Sequence, residues 1–188
     1  MAIPDPAIFI TATIYKNINL LGKYDFNEII LSSLNDLHIK GLLTIYAFVL
    51  MPNHIHLIWR EHPEKRKSNE SIGASFFKYS AHQFLELLKT KYPGMLSLFQ
   101  VEKSDRKYQF WNRSHYTVEI YSDIVFEQKL NYIHGNPTQQ KWQLAGSEMD
   151  YKYSSVRFYE NGIDEFGFLT NYFWRDNAVG GDTDSGKW

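Results

Sequence analysis

Cysteine is absent from the 188 residues, which excludes a disulfide framework, a thiolate metal site and a cysteine nucleophile. Histidine, carboxylate and amide groups are the metal ligands that remain. No stretch reaches the roughly 18 consecutive apolar residues of a membrane-spanning helix, and no basic stretch precedes an apolar segment between Met1 and Tyr15. A soluble, cytoplasmic protein without a membrane partner is the expectation. A large charge of one sign is also missing. The formal net charge is −1, so no global field draws the molecule to a polyanion.

Flat side chains are abundant instead: 16% of residues are aromatic, with 13 Tyr and 13 Phe, a composition suited to a packed sheet and equally to base stacking. The charge, though balanced, is unevenly placed. Arg60 to Arg113 carries 11 basic and 6 acidic residues, and the remainder 9 basic and 15 acidic. That asymmetry fits a basic strip on an acidic body, and fits a solvated loop region as well.

Within the run Tyr46 to Trp59, His54 and His56 stand in apolar surroundings with one residue between them. On a strand this spacing puts both imidazoles on one face, while Ile55, Leu57 and Trp59 point to the other. Two converging imidazoles are candidate metal ligands; a structural pair at a strand end is the plainer alternative. Met51-Pro52-Asn53 carries turn chemistry, so Leu42–Leu50 and His54–Trp59 read as an antiparallel hairpin.

Ile8 to Tyr15 reads as a first strand, and Asp25 as the cap of a helix running to about His38. A further helix starts at Asn69 or Ser71 and runs to about Lys91. Phe110-Trp111 and Tyr116 to Ile120 read as an extended segment, and Ser122 caps a helix through Ile133 closed by Gly135 and Pro137. This order predicts an α+β protein, a ferredoxin-like sandwich with a mostly antiparallel sheet and packed helices. Residues 1–174 are expected to form one domain and 175–188 a disordered tail.

A catalytic divalent ion needs more than two histidines. On the last helix the apolar stripe is Phe126, Leu130 and Ile133, and Tyr132 falls roughly 130° from its middle. Its hydroxyl is therefore presented rather than buried. Asn136, four residues on, can bring its amide oxygen to the same point, or simply close the helix. Tyr116 is the rival tyrosine, ranked lower because a strand tends to bury such a ring.

Met51-Pro52-Asn53-His54-Ile55-His56-Leu57-Ile58, then Tyr132-Ile133-His134-Gly135-Asn136-Pro137, then Asp150-Tyr151-Lys152-Tyr153-Ser154-Ser155 resemble the single-tyrosine HUH transposases, most of all the REP-associated tyrosine transposases. Phe110-Trp111 with His115 and Glu119 resembles the family's segment before the tyrosine helix. The chain departs from the family at Thr138–Trp142, which is polar where an apolar run is usual. The resemblance implies an HUH domain that binds single-stranded DNA beside hairpins, sometimes as a homodimer, and cuts it with Mg²⁺ or Mn²⁺. It implies His54, His56 and Asn136 as metal ligands and Tyr132 as the nucleophile that forms a 5′-phosphotyrosine. A domesticated protein that binds repeat hairpins without transposing DNA is the alternative, and a hydrolase of small molecules a third. Lys65, Arg66, Lys67, Lys78 and Arg113 are candidate phosphate contacts, Lys78 foremost; Lys89 is another. Phe77 and Tyr79 beside Lys78 are core or stacking residues.

Overall fold

Alternating β-branched and aromatic residues make β1 (Ala7–Thr13) a strand that buries both faces, and it lies inside a four-stranded sheet. In the computed structural model, which describes residues 6–65 and 69–174, it is followed by α1 (Tyr24–Ile39), β2 (Leu43–Met51) and β3 (His54–Glu61). Next come α2 (Ile72–Lys91), the short β4 (Gln100–Lys103) and β5 (Arg106–Tyr108), β6 (Tyr116–Ile120), α3 (Asp123–Gly135) and α4 (Val156–Asn161). Strand order is β2-β3-β1-β6 with all three pairings antiparallel. Because β3 inserts between β1 and β2, the crossover through α1 is a split βαβ unit, the ferredoxin-like arrangement. The fold is α+β, as the element order predicts.

The sheet has two different coats. Ile55, Leu57 and Trp59 of β3 face α1 and α2, in a core with Ile30, Leu34, Phe76 and Phe84. The opposite face joins Phe9, Val49, Met51 and Ile58 to Phe126, Leu130 and Ile133 of α3 and to Tyr172. Trp59 and Phe84 are wholly buried, and removing each such ring from water contributes roughly 1.5–3 kcal/mol.

The segment Asp150–Ser155 covers an edge. The Leu50 amide donates to the Tyr153 carbonyl at 2.9 Å and the Tyr151 hydroxyl to the Leu50 carbonyl at 2.6 Å, so β2 does not offer a bare row of backbone groups. Among the described residues no helix is long and apolar enough to cross a membrane.

Three local expectations need correction. Asp25 is not the α1 cap: the helix begins at Tyr24, the cap position is Lys23 with no side-chain cap, and the Asp25 carboxylate accepts instead from Lys91 Nζ at 2.7 Å and from the Tyr92 hydroxyl. A charged partner 66 residues away outcompetes the local amide. The segment before β6 is not one extended run, since Trp111 makes an isolated bridge to Ile14 and the strand starts only at Tyr116. Tyr116 is not buried either; it is 60% exposed. Ser71 and Ser122, by contrast, cap α2 and α3 by accepting from the Ala74 and Val125 amides. The tail 175–188 lies outside the described residues, as do Arg66 and Lys67.

Candidate active site

The turn Pro52-Asn53 delivers the histidines. Its carbonyls accept from the Leu21 and Ile14 amides, both at 2.8 Å, which ties the hairpin end to the chain leaving β1. β3 then starts at His54, and period-two alternation sends His54 and His56 to the α3 side. Their ring centroids are 4.8 Å apart. Each ring is oriented through Nδ1: that of His54 meets the Asn53 amide oxygen at 2.7 Å, and that of His56 meets Thr11 Oγ1 at 2.8 Å. His56 is also stacked on Phe9, at 5.6 Å and 16°. Such outer contacts fix which nitrogen faces the site.

Electrostatics keeps both rings neutral. Burial, reinforced by the Lys141 charge and partly opposed by a hydrogen bond with Asn136, pushes His54 down to about 4. Burial, then His54 and Lys129, pushes His56 down to about 3. Neutral imidazoles carry a free lone pair at pH 7, the form that binds a cation.

Tyr132 projects from α3 against this pair. Its ring centroid is 5.0 Å from His56 and 6.0 Å from Phe9 in the same chain, and it is 47% exposed. The stripe Phe126, Leu130 and Ile133 is buried beneath, so helical periodicity holds the phenol outward. Asn136 closes α3, is buried, and donates from Nδ2 to the Tyr132 carbonyl at 3.4 Å. Its amide thus reaches both the tyrosine turn and His54.

Among the described residues no three His, Cys, Asp or Glu side chains gather around a cation site. The available set is two imidazoles and an amide. It fits a divalent ion on one observation above others: His56 Nε2 is buried and has no hydrogen-bond partner among the described residues, a costly state that a ligated cation would relieve.

The fold is similar to that of a REP-associated tyrosine transposase solved bound to a REP hairpin. The identity is 16%, the match covers 90% of this chain and 88% of that one, and the TM-score is 0.59. The chain has the fold of a REP-associated tyrosine transposase. A candidate transposase from Deinococcus radiodurans also matches, with 16% identity over 71% of this chain and 92% of that one and a TM-score of 0.41. No family model and no curated protein matches the sequence.

Within this transposase fold the sequence-predicted residues divide. His54, His56, Tyr132 and Asn136 are brought together. Lys78 and Arg113 lie away from them, with α2 on the opposite coat of the sheet: Lys78 sits 3.6 Å from Glu70, and Arg113 sits 3.6 Å from Asp105 and lines a cleft with Phe77 and His115. Lys65 is exposed on a short turn after β3, and Lys89 pairs with Glu86 at 2.8 Å. Phe77 is core, and Tyr79 is exposed.

The residues that sequence reasoning missed are Thr11, Lys129, Lys141 and Trp142. Trp142 packs 5.4 Å from His54. Lys129 precedes Tyr132 by three residues, a spacing that puts both on one helix face and so was open to inspection. Thr11 depends on strand register, which no local pattern announces. His134 is buried against Ser155, Nε2 to Oγ 3.0 Å, a structural histidine that locks α3 to the start of α4.

Proposed function

We propose that this chain is a metal-dependent single-stranded DNA endonuclease and strand transferase, a transposase acting at hairpin-associated sites. The observation that carries the reading is the Tyr132 ring 5.0 Å from His56 in one chain, beside a buried imidazole nitrogen with no hydrogen-bond partner among the described residues. The likeness of fold to a hairpin-bound transposase supports it.

His54, His56 and the Asn136 amide would hold Mg²⁺ or Mn²⁺, imidazole favouring the latter. When bound, such an ion polarises the phosphodiester and offsets charge in the transition state. Thr11 and Asn53, which meet the imidazoles at Nδ1, would hold the rings with Nε2 toward the site. Tyr132, after giving its proton to solvent, attacks phosphorus through Oη; the phosphorus–O3′ bond breaks, the leaving oxygen takes up a proton, and the 5′ end remains as a phosphotyrosine. Reversal by an incoming 3′-hydroxyl rejoins strands and frees the phenol. The link conserves the broken bond, so no external energy source is needed. With Tyr132 and His56 in the same chain, one molecule holds every group this step uses.

Incubation with hairpin-bearing single strands and Mn²⁺ is expected to give a DNA–protein adduct that survives denaturant and disappears with Tyr132→Phe or a chelator. An adduct that persists in Tyr132→Phe removes the nucleophile. Hairpin binding unaffected by metal, with no cleavage under any divalent ion, would favour the domesticated binding protein.

A further inference from the structure

Two rings and two lysines at the ends of the histidine row have no part in the chemistry above. Successive ring centroids run 6.3 Å from Tyr116 to Phe9, 5.6 Å from Phe9 to His56, 4.8 Å from His56 to His54 and 5.4 Å from His54 to Trp142. Tyr132 stands against the middle of this row. At one end Lys129 Nζ lies 4.8 Å from the Phe9 ring and 5.8 Å from that of Tyr116. At the other, Lys141 Nζ lies 5.1 Å from the Trp142 ring. Among the described residues neither lysine forms an ion pair, so both charges are free to meet an anion.

The exposure of Tyr116 follows from its place. It pairs with Thr11 at the end of the edge strand β6, on the same side of the sheet as the histidines, and its ring opens to solvent rather than into the α3 core. Trp142 follows the short turn Asn136–Thr138 after α3 and folds back on His54. The row is thus bounded by one flat side chain and one ammonium at each end, with the reacting phenol between.

We infer that Tyr116 and Trp142 are stacking platforms for the bases on either side of the phosphodiester presented to Tyr132, while Lys129 and Lys141 hold the adjoining phosphates, so that a single strand runs along the row. Aromatic stacking accepts any base because every base has a π-face, and lysine meets phosphate as a point charge without demanding a fixed geometry. The arrangement therefore grips a strand near the cut regardless of its sequence, and leaves sequence choice to contacts elsewhere. It deepens the single-strand reading above and rests on it.

The test uses Tyr132→Phe protein, so that nothing is cut, and two probes: hexathymidylate, and a six-unit sugar-phosphate chain carrying no bases. Trp142→Ala and Tyr116→Ala are each expected to weaken hexathymidylate binding about tenfold, with Trp142→Phe and Tyr116→Phe restoring it, and to leave the base-free chain unaffected. Lys129→Gln and Lys141→Gln are each expected to weaken both probes and to lower the slope of log affinity against log salt by about 0.7. Ring variants that weaken both probes equally would make the rings structural and overturn the inference. So would unchanged binding, or lysine variants with an unchanged salt slope. Because this is a binding measurement on protein without the phenolic hydroxyl, its failure is distinct from failure of the wild-type protein to form an adduct.

Discussion

The two coats of the sheet use charge in opposite ways. On the α2 side, the sequence from Arg60 to Arg113 is rich in cations, yet five of them are spent on carboxylates: Lys78 on Glu70, Lys89 on Glu86, Lys91 on Asp25, and Arg106 and Arg113 on Asp105. Exposed pairs of this kind contribute little stability, and they blunt the local field. On the α3 side Lys129 and Lys141 form no ion pair among the described residues, and their charges act on His56 and His54. A local excess of cations is thus a poor guide to an anion site. Whether each cation already has a carboxylate is the better one.

The sharpest way to break this comparison is to delete one group from each coat. Tyr132→Phe is expected to lower adduct formation by about 10⁴-fold or more, the scale seen when a covalent nucleophile is lost, whereas Lys78→Gln changes it less than about twofold. Equal effects, read on denaturing gels, would erase the distinction between the coats.

A smaller effect tests what holds the histidines. Thr11→Val removes the hydroxyl at His56 Nδ1 and is expected to weaken Mn²⁺ binding by about 10–100-fold, measured by titration calorimetry. Lys91→Gln, on the other coat, leaves it unchanged.

Acid separates the two coats next. His56, His54 and His134 are pushed below their ordinary value by burial, so below about pH 6.5 the unfolded chain binds protons that the folded one refuses. Their contribution to stability is complete above that pH and is lost as pH falls toward about 4, at up to about 1.4 kcal/mol per pH unit for each fully buried group. The paired carboxylates Asp25, Glu86 and Asp105 are held below their usual range by Lys91, Lys89 and Arg106, so what their pairs contribute begins to be lost only as pH falls through the ordinary carboxylate range. Urea midpoints of metal-free protein are therefore expected to drop between pH 6.5 and 4.5, and His56→Gln to flatten the drop. A flat wild-type profile would contradict the burial of neutral imidazoles.

The mildest perturbation falls where the α2 coat begins. Glu61 accepts from the Ile72 and Gly73 amides at 3.1 and 3.0 Å, and a Cβ at Gly73 would stand 2.9 Å from that carboxylate and 3.2 Å from the Trp59 ring. Gly73→Ala is expected to cost about 1 kcal/mol in urea unfolding while leaving adduct formation intact.

Most of the frame was legible because it rests on short periods. Alternation in His54–Trp59 assigned the faces of β3, and the stripe Phe126, Leu130, Ile133 showed that Tyr132 points away from the core. Ser71 and Ser122 marked two helix starts through local capping chemistry. What escaped depends on partners far along the chain. Asp25 reads as a cap until Lys91 arrives, Tyr116 reads as buried until the sheet edge is known, and Thr11 meets His56 only through strand register. The polar, exposed strands β4 and β5 carry no apolar alternation and gave no signal at all.

The contact between the Tyr132 and His56 rings inside one chain also carries an expectation for the molecularity of the proposed reaction. Turnover per protein molecule is expected to be independent of protein concentration, down to dilutions at which any pair of copies would separate. A mixture of Tyr132→Phe and His56→Ala proteins, each inactive, is expected to stay inactive, since neither supplies the other's missing half. Restored cleavage on mixing would mean that the tyrosine helix serves a neighbouring copy.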